Sequence, residues 1–133
     1  MVKVDAELAA VLFFATSANV KMSKAPKEIL LQSERHAIKE KSGGGLLRYE
    51  VWGFLKNGAT VVTRYNIAYI NLAVCQVDNG RVLGFDNAHN YHHRHYMGTI
   101  EPFDFVSFEQ TVDLFETEWS QIAKALQAKG KKS

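Results

Sequence analysis

The sequence predicts an α+β fold: an antiparallel β-meander of about four to five strands, packed by a C-terminal amphipathic helix and preceded by an N-terminal helix. Three observations carry this. Glycine-rich and Asn-Gly turn signals divide the middle of the chain into segments rich in Val, Ile, Tyr, Phe and Trp. A stripe of Phe108, Val112, Phe115, Trp119, Ile122 and Leu126 recurs at helical spacing near the C-terminus. A length of 133 residues suits a single domain with a real core and is short for two.

Taken in order, Asp5 can cap a helix that carries Leu8, Val11, Leu12 and Ala15 on one face and ends before Ser17 and Asn19. This helical extension occupies residues 1–25. Lys21 to Pro26 is polar and proline-broken and reads as a connection. Glu28 to Ile38 is ambiguous between helix and strand. Gly43-Gly44-Gly45, Asn57-Gly58 and Asp78-Asn79-Gly80 then bound the runs Leu46 to Leu55, Ala59 to Val77 and Arg81 to Asp86. Ala59 to Val77 is long for one strand, which predicts a bulge or bend near Asn66 or Asn71. Residues 28–106 thus hold the sheet. Ser107 is the natural N-cap of the final helix over 107–129, and Gln110 completes a capping box; Lys124, Lys129 and Gly130 suit its end.

Composition narrows the function classes. A net charge of +2 excludes a strongly basic architectural nucleic-acid binder, so a polyanion site has to be local. The single cysteine, Cys75, lies in an apolar run and fits a reducing cytoplasm. Asp5 and Glu7 precede the apolar segment Ala9 to Ala15, which is too short for a membrane span, so neither a signal peptide nor a membrane helix is expected. The tail from Lys129 to Ser133 reads as a solvated basic end.

Chemistry concentrates in His89-Asn90-Tyr91-His92-His93-Arg94-His95-Tyr96, which holds four of the five histidines. If residues 92–96 are extended, His93 and His95 project to one side while His92, Arg94 and Tyr96 project to the other. Imidazoles exchange protons near neutrality and a guanidinium holds phosphate. Such a set can cleave RNA without metal: the 2′-hydroxyl attacks the adjacent phosphate, one histidine acts as base and another as acid, and Arg94 counters the charge of the phosphorane. Tyr65, Tyr91 or Tyr96 can stack a base or steer the hydroxyl.

A rival reading makes His93, His95 and Asp86 a metal site of two nitrogens and one carboxylate, although no HExxH or paired CxxC supports it. A third makes the segment a hydrogen-bonded surface loop with Asp86 or Glu101 as partner. Asp86-Asn87 can orient a histidine or make an Asx turn. Arg64 and Arg48 can widen a phosphate-binding surface, or simply face solvent. His36 reads as a surface or partly buried histidine. Neither a glycine-rich phosphate loop nor a nucleophile elbow is present.

From Glu28 to Trp119 the chain resembles the TumE-type toxins of bacterial and archaeal toxin-antitoxin modules. The resemblance rests on Trp52, the strand Arg64-Tyr65-Asn66-Ile67-Ala68-Tyr69, Gly84-Phe85-Asp86-Asn87, His93-Arg94-His95, Gly98, Glu101-Pro102-Phe103 and a closing helix with Phe115. It implies a growth-inhibiting toxin with an RNA target, restrained by a cognate antitoxin that is often a helix-turn-helix protein. Asp86, His93, Arg94 and His95 match the motif and are the catalytic candidates. Arg64, Tyr65, Tyr96 and His92 are the substrate-binding candidates, with His89 peripheral. The expectation is a cytoplasmic, metal-independent endoribonuclease without cofactor or membrane, in a chain compatible with a homo-oligomer. Residues 1–25 look added to the family pattern, for antitoxin binding or dimerisation. The alternatives are a non-enzymatic inhibitory protein and a metal-dependent phosphodiesterase using His93, His95 and Asp86.

Overall fold

The computed structural model describes residues 26–131. The expected N-terminal helix and the last two residues of the tail lie outside the described residues. Among the described residues six strands form one antiparallel sheet in sequence order, and one α-helix follows. The strands are β1 (Ile29–Ala37), β2 (Leu46–Lys56), β3 (Ala59–Ile70), β4 (Arg81–Asp86), β5 (His93–Tyr96) and β6 (Thr99–Pro102), and the helix is α1 (Phe108–Lys131).

The ambiguous run after Glu28 is a strand, largely exposed along its length and, among the described residues, paired with β2 alone. β2 and β3 meet at Asn57-Gly58, both with positive φ, as a tight hairpin requires. A bulge between Trp52 and Gly53 shifts their register. Gly53 is obligatory there, because a Cβ would come within 1.9 Å of the Val61 carbonyl oxygen.

The long run from Ala59 breaks at Asn71. The Asn71 carbonyl accepts from the amides of Val74 and Cys75, and its side-chain oxygen accepts from Ala73, so the chain coils into a turn rather than extending. That turn leads through a 3₁₀ segment at Asp78–Gly80 into β4. The sheet has six strands where about four to five are predicted; the strand not foreseen is β6, joined to β5 by a hairpin that Met97-Gly98 closes with φ of 50° and 91°.

One face of the sheet packs against α1. Val51, Ile67, Tyr69, Leu83, Phe85 and Phe115 are buried in the resulting core. The Phe115 ring meets Phe85 and Tyr49 edge to face, while Trp119 lies against Tyr69. Ser107 caps the helix as the sequence predicts, its hydroxyl accepting from the Gln110 amide at 3.0 Å. Glu116 accepts from the Tyr49 hydroxyl and ties the helix to β2. Among the described residues no helix is long and apolar enough to cross a membrane.

Candidate functional site

The site is built on the sheet face turned away from α1. In the β4–β5 pair Asp86 lies opposite His93, and Gly84 opposite His95. Directly paired residues share a face, and so do residues two apart on one strand. Asp86, His93 and His95 therefore converge. His93 Nε2 lies 2.8 Å from Asp86 Oδ1, and His95 Nε2 lies 2.7 Å from Asp86 Oδ2. All three are buried, with exposures of 5% for Asp86, 5% for His93 and 3% for His95.

The other nitrogen of each ring is also engaged. His93 Nδ1–H donates to the Tyr91 carbonyl at 2.9 Å, and the Tyr91 ring stacks on His93 with centroids 4.3 Å apart. His95 Nδ1 lies 2.8 Å from Asp78 Oδ2. Arg81 ties the two carboxylates, with Nη2 2.6 Å from Asp78 Oδ1 and Nη1 3.6 Å from Asp86 Oδ2. Its side chain runs over Gly84, where an added Cβ would meet Arg81 Cδ at 3.3 Å. Asp86 is further fixed by the Ala88 amide, which donates to Oδ1 at 3.1 Å.

Electrostatics follow from this packing. Burial alone would raise the Asp86 pKa, but the hydrogen bonds from His95 and the Ala88 amide, with the charges of both histidines, hold it below the usual carboxylate value. Burial alone would lower the His95 pKa; the hydrogen bonds to Asp86 and Asp78 outweigh it, and Arg81 opposes them only in part, so it stands raised. One nitrogen from each histidine and one Asp86 oxygen lie within 4.8 Å of one another, a set of donors that can hold a metal ion.

The cluster opens into a cleft of about 400 Å³ whose lining includes Glu50, Trp52, Arg64, Asn66, Arg81 and Tyr91. The Arg64 guanidinium sits over the Trp52 ring at 4.4 Å and pairs with Glu28 at 3.0 Å. His89, exposed and with φ of 60°, stands on the rim.

Of the remaining sequence candidates Tyr65 contributes to the lining of the cleft, while Arg94, His92 and Tyr96 do not. Arg94 points to the helix face, where Nη2 lies 3.0 Å from Glu118 Oε1 and Nη1 3.7 Å from Glu101 Oε2, with the guanidinium 5.2 Å from the Tyr96 ring centroid. His92 stacks on Phe105 with centroids 3.7 Å apart and bonds the Tyr65 hydroxyl through Nδ1 at 2.8 Å. Tyr65 is itself buried, and its ring packs on that same side against Phe105 and Phe108. Arg48 pairs with Glu50, and the exposed His36 with Glu34. Asn87 makes no simple turn: its side chain accepts from the Tyr65 amide and donates to the Thr63 carbonyl, prolonging the β3–β4 ladder.

Sequence reasoning missed Arg81, Asp78 and Trp52 as neighbours of the site. Asp78 reads as a turn residue. Arg81 stands five positions from Asp86, so strict alternation puts it on the opposite face; the register shift between Tyr69 and Ile70 brings it back. Trp52 faces Arg64 across the β2–β3 pair, a juxtaposition that the hairpin register implies. No protein-family model, curated protein or solved structure matches the chain at a significant level.

Proposed function

We propose that this chain is the toxin of a toxin-antitoxin module and that it cleaves RNA phosphodiester bonds in the cleft above Asp86, His93 and His95. The observation that carries the reading is a buried carboxylate–imidazole cluster opening into a cleft that also presents two guanidinium groups, Arg81 and Arg64, beside the indole of Trp52. Guanidinium groups bind phosphate, and an aromatic ring with a cation on its face accepts an unstacked base, which single-stranded RNA offers and a duplex does not. The resemblance to TumE-type toxins supplies the biological setting: a cytoplasmic growth inhibitor held in check by a cognate antitoxin, often a helix-turn-helix protein, bound over the cleft.

Arg81 takes the phosphate-facing role first assigned to Arg94, because it lies on the face with both histidines and Arg94 on the other. A metal-free reaction requires an imidazole nitrogen to leave Asp86 and meet the 2′-hydroxyl, since both nitrogens of both rings face oxygen in the resting protein.

Purified full-length protein incubated with structured and unstructured RNA, with and without divalent ions, is expected to cleave unstructured RNA. Growth arrest by a protein that leaves every RNA intact under all these conditions would sink the reading. The burial of the two imidazoles favours one second reading, a non-enzymatic inhibitor in which the cluster only braces β4 against β5. Toxicity that persists in a folded protein carrying both His93→Ala and His95→Ala would establish it.

A further inference from the structure

We infer that Asp86, His93 and His95 bind one divalent transition-metal ion through the two Nε2 atoms and the Asp86 carboxylate, with Asp78 and the Tyr91 carbonyl orienting the rings.

Hydrogen-bond direction is the first argument. Nδ1 of His93 faces a backbone carbonyl and Nδ1 of His95 faces a carboxylate, at 2.9 Å and 2.8 Å. Both partners act as acceptors, so each Nδ1 carries a hydrogen, which leaves Nε2 as the nitrogen through which each ring can ligate. Both Nε2 atoms face Asp86, at 2.8 Å and 2.7 Å from its two oxygens; without a metal these short contacts to a carboxylate are held by Nε2 protons, which metal binding would displace. Three groups able to donate an electron pair thus converge, within 4.8 Å of one another, and a divalent ion can take the place of the bridging protons.

The outer contacts are those that a metal-binding histidine needs. A ligating imidazole characteristically donates its second N–H to a carboxylate or a backbone carbonyl, which fixes the tautomer and the ring plane. The two rings show one instance of each. Asp78 is itself held by Arg81 at 2.6 Å, and Tyr91 stacks on the His93 ring, so the outer layer is rigid.

Size and access agree. Ligand atoms about 2.0–2.2 Å from a shared ion lie about 3.0–3.4 Å from one another, depending on coordination geometry. The two histidine–Asp86 separations, 2.8 Å and 2.7 Å, fall a few tenths of an ångström short of that, and the three ligand atoms all lie within 4.8 Å of one another. Three protein ligands leave positions free, and the free side is the cleft that holds Arg64 and Trp52. Two imidazoles and one carboxylate favour zinc, manganese or ferrous iron over magnesium, which prefers oxygen. The inference rests on the hydrolytic reading of the cleft only for what the ion does there, which is to activate a water or polarise a phosphate. Binding itself stands apart from that reading.

The test is cobalt titration of the full-length chain after exhaustive dialysis against chelator. The expected result is one equivalent bound, visible as d–d absorption that excess zinc removes. Two paramagnetically shifted, exchangeable imidazole N–H resonances should appear in proton NMR, because the two Nδ1 hydrogens are retained. His93→Ala, His95→Ala and Asp86→Asn should abolish binding, while His36→Ala leaves it unchanged. Asp78→Asn, which changes no ligand, should weaken it by about 10–100-fold, and it keeps the proposal testable if ligand variants fail to fold. Absence of the bands, or binding that is equal in a folded His95→Ala and in His36→Ala, overturns the site. Cobalt bound as expected with all RNA intact sustains the site and defeats the RNA reading. RNA cleaved in excess EDTA by protein free of metal sustains the RNA reading and removes the ion from it, while the cobalt titration alone decides the site.

Discussion

The segment from His92 to Tyr96, which holds β5, presents the same chemistry on its two faces and uses it in two ways. His93 and His95 point away from α1 into a cluster with Asp86 that opens on a cleft, while His92 and Arg94 point toward the helix and are absorbed by Phe105, Tyr65, Glu118 and Glu101. Residue type therefore does not separate a cleft-facing histidine from a packed one in this segment. Position parity in a strand does, together with what each face meets. The helix face is closed by aromatic stacking, and the other face ends in a hydrogen-bonded network with a solvent route.

The sharpest way to break this contrast is to compare His95→Ala with Arg94→Ala. His95→Ala removes a cluster member and is expected to reduce RNA cleavage by about 10²–10⁴-fold. Arg94→Ala should leave the cleavage rate within a few fold and lower stability by about 1 kcal/mol or less, the worth of a partly exposed ion pair. Parallel single-turnover assays and urea melts read both quantities. Equal loss of cleavage in folded variants of each would mean that the two faces act together, contrary to the division drawn here.

The corresponding blow to the helix face is Phe115→Ala. The ring is fully buried against Phe85 and Tyr49, and its removal should destabilise the protein by about 3–5 kcal/mol, measured by denaturant unfolding. Cleavage per folded molecule should survive at temperatures below the lowered midpoint, because no cluster residue touches this ring.

Acidity sharpens the comparison from the cluster side. In metal-free protein the raised pKa of His95 contributes stability that is fully present below the ordinary histidine value and is lost as pH rises through the folded value. The lowered pKa of Asp86 contributes stability present above the ordinary carboxylate value and lost as pH falls through the folded one. Stability should accordingly peak between about pH 4 and about pH 6.5. Urea midpoints measured across pH in the presence of EDTA check this, and His95→Gln should flatten the alkaline limb. An unchanged alkaline limb in that variant would assign the loss to another group.

How much of this was legible in the sequence follows the same division. Asn57-Gly58 and the Phe108 to Leu126 stripe announce a hairpin and a helix through local rules of turn geometry and periodicity, and both stand as read. Alternation within β5 also gave the correct sorting of His93 and His95 from His92 and Arg94. Three features depended on information that is not local. Arg81 reaches Asp86 only through a register shift, and Asp78 joins the site only because its loop folds back over β5. The β5–β6 hairpin turns on Met97-Gly98, where a methionine adopts φ of 50° that its type does not advertise. Arg94 looked catalytic because a His-Arg-His triplet is contiguous on paper, while a strand sends its middle residue away from its neighbours.

The smallest expected effect tests whether the two faces are energetically separable. Ser107 caps α1 by accepting from the Gln110 amide, and its carbonyl accepts from the amide and the hydroxyl of Thr111, a fully buried residue. Ser107→Ala removes only the first of these bonds and should cost about 1 kcal/mol. Ser107→Asp, which restores an acceptor and places a negative charge at the positive end of the helix, should recover most of it. Neither change should alter cobalt affinity or cleavage, since the cap touches the face opposite the cluster. If instead the alanine variant loses metal affinity in proportion to its lost stability, helix docking and the geometry of Asp86, His93 and His95 form one cooperative unit. The sheet would then have to be regarded as transmitting strain between its faces rather than insulating them.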